Sequence, residues 1–478
     1  MEAIAVIAAV VGAVWGIAVL LRSGLLGGCL AVLLAGTCFG LPLLKIELGP
    51  LPLTIDRLLM VLLVGQYVVW RRLGWVKAKS LGRPEIVLLV FTALMVLSTF
   101  VADWQASNYQ AVAWLIIYYL MPAVMYWIAR QANSSARAMP ALFACFALFG
   151  VYLALTSLAE YFKLWGLVFP QYIATTAAEP GAEFVGRARG PLLNPIANGI
   201  LLTICLGSAL LWWPRLGRRG QLILLLLMPL LLAGIACSLT RSVWMGGLFA
   251  LALAVGLALP WSWRWPLLGG GVLVLALVTV LEWENLLSFK RDEALGAEKT
   301  ADSVELRPIM ATVAWHMFLD RPLLGCGYSQ YKSEHNNYLS DRSTNLALER
   351  ARDYIPHNVF LSLLTETGLV GLGLFLALLF LWLRDAWRLW NTPQVPLWAR
   401  QQGLWMMIAI GAYCINGMFH DVSVMAMMNL TLFFLAGITA GLRPLVERTP
   451  VTNRHSERSE ESPPLVGEIL CCAQDDRQ

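Results

Sequence analysis

The sequence predicts an all-α, polytopic integral membrane protein of about 12–13 transmembrane helices with a large, partly helical outer loop, and three observations carry that prediction. First, 58% of its 478 residues are hydrophobic, 14% are charged and the mean hydropathy is +0.66, whereas soluble domains carry about 25% charged residues. Second, apolar runs of roughly 20 residues recur along nearly the whole chain, the length a helix needs to cross a hydrocarbon core about 30 Å thick. Third, arginine and lysine gather in every second connection, as they do where short basic loops stay in the cytoplasm.

In chain order, spans are expected at 3–21, 24–43 and 57–70, the last running into the densest basic cluster, Arg71, Arg72, Lys77, Lys79 and Arg83. Spans at 85–102 and 110–129 lead to Arg130 and Arg137; 140–160 and 196–214 lead to Arg215, Arg218 and Arg219. Next come 221–238, 243–260, Arg264 and 265–282, then 358–383 with Arg384, Arg388 and Arg400 beyond it, then 402–419 and 422–442. The connections at 44–56, 103–109, 161–195, 239–242, 283–357 and 420–421 then fall on the outer face, with the N-terminus. The first apolar stretch has no basic n-region and no small-residue cleavage site, so a removable signal peptide is not expected. The organisation that follows is an N-terminal membrane region at 1–282, a large outer loop at 283–357, a C-terminal membrane region at 358–445 and a polar tail at 446–478. That tail lacks apolar periodicity and reads as disordered and cytoplasmic.

The net charge of +5 rests mostly on the loop residues that set orientation, so nucleic acid is not implied. Cys29, Cys38, Cys145, Cys205, Cys237 and Cys414 lie in apolar runs, Cys326 stands in the outer loop, and Cys471-Cys472 has no second pair at zinc-ligand spacing.

Most of the polarity sits in two outer loops. In 161–195, Arg187-Ala188-Arg189-Gly190-Pro191 precedes Asn194-Pro195-Ile196-Ala197-Asn198-Gly199, where proline and glycine punctuate a return into the membrane. In 283–357, Leu306, Ile309, Met310, Val313, Ala314, Met317 and Phe318 follow helical spacing and predict an amphipathic helix lying in or near the interface. Pro322-Leu323-Leu324-Gly325-Cys326-Gly327-Tyr328 predicts a tight turn, and 329–356 reads as irregular. Thr240-Arg241-Ser242-Val243-Trp244 sets an arginine at the outer mouth of a helix, Arg307 opens the interfacial helix, and His357-Asn358 caps the helix running to about Phe380. Guanidinium groups pair bidentately with phosphate oxygens and stay charged, so arginine can take a metal's place on a diphosphate.

At these residues the chain resembles the O-antigen ligase and polymerase superfamily of bacterial envelope enzymes. The likeness is carried by Ser238-Leu239-Thr240-Arg241-Ser242-Val243-Trp244, by Arg307 to Gly327 with Asp320-Arg321-Pro322-Leu323-Leu324-Gly325-Cys326-Gly327, and by His357-Asn358-Val359-Phe360-Leu361 to Glu366-Thr367-Gly368-Leu369-Val370-Gly371. It covers about 185–375, and a similar helix layout extends over most of the membrane region. The resemblance implies a GT-C-like inner-membrane enzyme that moves a glycan from an undecaprenyl-diphosphate carrier to an acceptor hydroxyl on the periplasmic face. It implies inversion at the sugar, with no cofactor and no metal. The acceptor is lipid A-core for a ligase, a growing glycan for a polymerase, or a protein for an O-oligosaccharyltransferase; the ligase is the first choice. Arg241 and Arg307, with Arg187 or Arg189, are then the diphosphate-binding candidates, since fixed cationic donors stabilise charge growing on a leaving group. His357 is the candidate general base. Asn358 and His420 complete the candidate substrate-binding set.

Each assignment has a structural rival. Arginines at helix ends anchor to headgroups, Arg307 has Glu305 and Asp302 nearby in sequence, and a helix-end histidine often makes only a structural hydrogen bond. His316 is expected against headgroups, His335-Asn336-Asn337 as polar loop, and His420-Asp421 as an outer turn that lines the same cavity or simply connects helices. Glu160 and Glu366, near membrane ends, either orient His357, hold acceptor sugar or anchor at the interface. A transporter or flippase is the alternative from another class; few ionisable residues in the spans and one large one-sided loop count against it. A scaffold for envelope assembly would tolerate substitution of Arg241 and His357.

Overall fold

The computed structural model describes residues 23–40, 51–179, 184–281, 297–341 and 344–447. The expected span at 3–21 and nearly all of the expected tail lie outside these residues. Among them the chain is helical, with no β-strand. The elements are α1 (Ser23–Cys38), α2 (Ile55–Arg72), α3 (Arg83–Val101), α4 (Ala106–Leu115), α5 (Met121–Gln131), α6 (Ala138–Tyr161), the short α7 (Tyr172–Ala177), α8 (Pro195–Trp212), α9 (Arg218–Cys237), α10 (Arg241–Ala258) and α11 (Trp261–Leu281). There follow α12 (Ala297–Asp320), the short α13 (Tyr331–Glu334), α14 (Val359–Asn391), α15 (Leu397–Gly417), α16 (Ala426–Gly441) and a terminal turn of helix, α17 (Arg443–Glu447).

Every other expected span coincides with a helix, and among the described residues eight stretches are long and apolar enough to cross a membrane. One π-helical turn, Ile116–Leu120, joins α4 to α5, so the two form a single span from Tyr109 to Gln131. Several ends differ from expectation, two of them for a visible reason. The last span starts at Ala426 instead of 422, because Asp421 accepts a hydrogen bond from Ser423 N (3.2 Å) and closes a turn over Val422–Val424. The helix after His357 runs to Asn391 and is broken at Gly368, whose φ of 66° and ψ of −166° suit a residue without Cβ.

Lipid gives helices no hydrophobic reason to associate, so close packing and buried polar contacts must do it. At Gly437 of α16 a Cβ would stand 2.5 Å from the Tyr126 carbonyl of α5, which is why glycine sits where these helices meet. Trp405 of α15 is wholly buried between Phe143 (5.2 Å) and Phe146 (4.9 Å) of α6, and its Nε1 donates to the Ile204 carbonyl of α8 (2.8 Å). Truncating such a side chain to alanine costs about 3–5 kcal/mol.

Charge divides between the two ends of the bundle. At the end that carries the basic loops, Glu85 of α3 is fully buried and accepts from Tyr126 Oη (2.6 Å), from Gly82 N (2.6 Å) and from Arg443, while Arg130 Nε lies 3.2 Å away. Arg443 also approaches Asp385 (3.6 Å), which pairs with Arg384 (2.9 Å). Lys79 donates to the carbonyls of Arg130 (2.6 Å) and Gly441 (3.2 Å).

The opposite end carries the outer loops. There the apolar positions of α12 do not turn toward the membrane as the helical spacing suggested. Leu306, Ile309, Met310, Val313, Ala314 and Met317 pack with Tyr331, Leu339, Leu348 and Ala351 into a small core internal to the loop. The supposed irregular stretch supplies that second face through α13 and two 3-10 turns, His335–Tyr338 and Leu348–Ala351. His335, read as loop, is buried, stacks on Tyr331 (5.3 Å) and faces the Lys332 (3.0 Å) and Arg352 (2.8 Å) carbonyls with its two ring nitrogens.

Candidate functional site

Arg241 begins α10, exposed, directly after Thr240, whose extended backbone caps the helix, and Leu239, whose φ of 48° turns the chain sharply. Arg187 holds that turn: its Nε donates to the Ser238 carbonyl (3.1 Å) and its Nη2 to Thr240 Oγ1, while its guanidinium lies over the Phe184 ring (5.0 Å). Arg189 is paired with Glu160 through Nε (2.9 Å), and Glu160 also accepts from the Arg189 (2.8 Å) and Gly190 (2.9 Å) amides. Arg187 and Arg189 are only 4% and 3% exposed. The structure thus places the two loop arginines behind the outer surface, fastening 187–190 to α6 and to the start of α10. Glu160, considered above as a partner for His357 or an acceptor sugar, serves this fastening.

Arg307, in α12, is half-buried, with its guanidinium 5.6 Å from the centre of the Phe419 ring. Burial, and then the charge of Arg241, draw its pKa below the usual arginine value, which leaves it cationic at any physiological pH. His357 stands two residues ahead of α14. The residue is exposed at the surface, yet desolvation by the protein around it, and then the charge of Arg307, hold it below the ordinary histidine range. A depressed imidazole is neutral near pH 7 and free to accept a proton. Arg241, Arg307 and His357, 116 residues apart at the extremes, are therefore close enough for their charges to act on one another in sequence. Two helix amino termini, those of α10 and α14, open at this cluster, and the helix dipoles add positive potential there.

Asn358 is the N-cap of α14. Its Oδ1 accepts from Phe360 N (2.8 Å) and Leu361 N (3.1 Å), and its Nδ2 donates to the Met418 carbonyl (2.9 Å). Each side-chain polar atom thus has a backbone partner, and the residue ties the start of α14 to the 418–425 turn. His420 is half-buried in that turn, between Phe419, which faces Arg307, and Asp421. Asp421 is buried and accepts from Ser362 Oγ (2.6 Å) and from Ser423. Burial raises its carboxyl above the usual aspartate range. Glu366 accepts weakly from Tyr331 N (3.4 Å).

The arrangement gathers Arg241, Arg307 and His357, sets His420 at its edge and leaves Arg187, Arg189 and Asn358 as its supports. Phe419 escaped the sequence reading, because an aromatic two residues before Asp421 carries no signal of its own. Asn358 and Ser362, four residues apart at the start of α14, face the 418–425 turn through Met418 and Asp421. His316 lies apart from the cluster, 3.0 Å from Asp341. Chemically, the cluster can bind a dianion at two guanidinium groups and take a proton at a neutral imidazole beside it.

Residues 223–376 match the O-antigen ligase family. The matched segment runs from within α9 into α14 and holds Arg241, Arg307 and His357. No curated protein matches the chain.

Proposed function

We propose, on the premise that this chain belongs to the O-antigen ligase superfamily, that it transfers a glycan from an undecaprenyl-diphosphate carrier to an acceptor hydroxyl at the outer face of the inner membrane. The observation that supports this reading best is the placing of two guanidinium groups and a depressed imidazole in one cluster, inside the matched segment. Arg241 and Arg307 take the diphosphate oxygens and stabilise the charge that grows as the glycosidic bond to phosphate breaks. His357 takes the proton of the acceptor hydroxyl, whose oxygen attacks the anomeric carbon from the side opposite the departing diphosphate, inverting it. Arg187, Arg189 and Asn358 hold the two helix starts in place, and His420 lies at the edge where the acceptor enters. The chemistry uses fixed cations in the role a metal plays elsewhere, and lipid A-core is the preferred acceptor.

The test is purified protein with undecaprenyl-diphosphate glycan and separate acceptors, comparing the native chain with His357→Ala and Arg241→Ala, with chelator present. Product with lipid A-core, lost in both folded variants, supports the reading. Full turnover in both variants overturns it, and a demand for added divalent metal overturns the cation-only mechanism. Movement of substrate across liposomes without a new glycosidic bond would assign the chain to transport.

A further inference from the structure

We propose that Leu319 and the turn 322–325, at the end of α12, form a re-entrant foot immersed in the hydrocarbon of the outer leaflet, while the charged Asp320 and Arg321 between them turn to Tyr338 (2.8 Å) and Glu334 (3.7 Å) of the loop, so that the outer loop stands in the membrane instead of above it. The first support is depth. The backbone of this turn pairs with residues toward the outer ends of two helices long and apolar enough to cross the membrane. Leu369 N donates to the Pro322 carbonyl (2.8 Å) and Val370 N to that of Leu323 (3.2 Å), while Cys326 N and Gly327 N donate to the carbonyls of Thr365 (2.9 Å) and Glu366 (3.0 Å). All four partners belong to the span Val359–Asn391, and Tyr328 N donates to Ser98 Oγ (2.9 Å) within Arg83–Val101. The break of α14 at Gly368 is what frees these groups: a Cβ there would stand 2.2 Å from the Leu323 carbonyl oxygen. Irregular backbone survives at membrane depth only when protein satisfies its polar groups, and here the broken helix does so.

The second support is composition. With the other face of α12 committed to the core of the loop, Trp315 (49% exposed), Leu319 (56%), Leu323 (64%) and Leu324 (60%) point outward. Beside them Leu369 and Val370 are exposed on α14, and Phe100 and Val101 on α3. The patch is thus continuous with the lipid-facing surface of two spans. Monomeric proteins rarely expose so large a contiguous apolar patch to water, and a tryptophan at its upper edge suits the headgroup belt. Hydrocarbon of the bilayer is the occupant that continuity selects. The foot gives Arg307 and His357 a common anchor, since α12 and the upper part of α14 are joined through it.

The inference is independent of the proposed chemistry, and so is its test. Nitroxide labels are placed by Leu319→Cys and Leu323→Cys in the full chain, with accessible native cysteines replaced by alanine, in phospholipid vesicles; Asn337→Cys, exposed in the same loop, is the water-facing reference. Oxygen should relax the labels at 319 and 323 several-fold more effectively, relative to a water-soluble nickel chelate, than the label at 337. Equal ratios at all three positions would overturn the proposal, as would dipolar broadening, which would assign the patch to a second copy. If the cysteine-replaced chain does not fold, a photoactivatable phenylalanine analogue at 323 decides the matter: adducts on phospholipid support the foot, and adducts on protein alone overturn it.

Discussion

The two ends of the helical bundle handle buried charge in opposite ways. Around Glu85, cations meet carboxylates: Arg130, Arg443 and Tyr126 converge on one acid, and Arg384 and Arg443 share Asp385. Around Arg307, a cation meets another cation and then an imidazole, with an aromatic face at its side. Taking charge out of water is costly unless an opposite charge repays it; around Glu85 opposite charges meet, while the shifts of Arg307 and His357 each carry the charge of a neighbouring cation. The contrast separates a structural clamp from the proposed binding site, though both use residues of the same type.

His357→Ala and Arg241→Ala should break the outer cluster without touching the clamp. Transfer is expected to fall by roughly 10²–10⁴-fold for the base and roughly 10²–10³-fold for the arginine, with the unfolding temperature in detergent unchanged; wild-type rates in either would remove the cluster from the mechanism. Glu85→Gln should do the reverse, leaving Arg130 and Arg443 short of a buried partner at a loss of about 3–5 kcal/mol. Thermal unfolding would register that loss, while turnover per folded molecule stays the same. A variant as stable as the native chain would show that the clamp is not one.

Arg307→Gln sharpens the comparison through pH. Because His357 is held below its ordinary value of about 6.5, the acid limb of kcat/KM should lie below that value in the native chain. Removing the neighbouring positive charge makes protonation easier, so the limb should move to higher pH in the variant, on top of a lower plateau. A limb that stays put would mean that Arg307 does not act on the base. The smallest effect is expected for Phe419→Leu, where losing the ring beside Arg307 weakens its anchoring by about 0.5–2 kcal/mol, read as a raised KM for the carrier with kcat little changed.

Much of this was legible in the chain itself. Span positions follow from apolar run length and basic loops, because both record a one-dimensional requirement of the bilayer. Arg241 and His357 stood out as polar residues at the mouths of apolar helices, whereas Arg307, expected to open its helix, lies ten residues inside α12 (Ala297–Asp320). The roles of Arg187, Arg189 and Asn358 were not legible, since a loop arginine reads the same whether its guanidinium faces solvent or Glu160. The apolar stripe of α12 also misled: spacing shows that a helix has an apolar face but not what covers it, and a core within the loop had the stronger claim than the interface.

Composition and order by themselves determined that this chain crosses a membrane many times, roughly where the described spans lie and which residues are candidates to hold a diphosphate. Those are properties of segments, set by the solvent a segment must satisfy. Which carboxylates Arg189 and Arg443 meet, how Gly368 opens α14 to receive the 322–327 turn, and how Arg307 comes within electrostatic reach of Arg241 and His357 were decided only by the packing of segments far apart in sequence, because pairing energies depend on distance and burial, which no single segment contains.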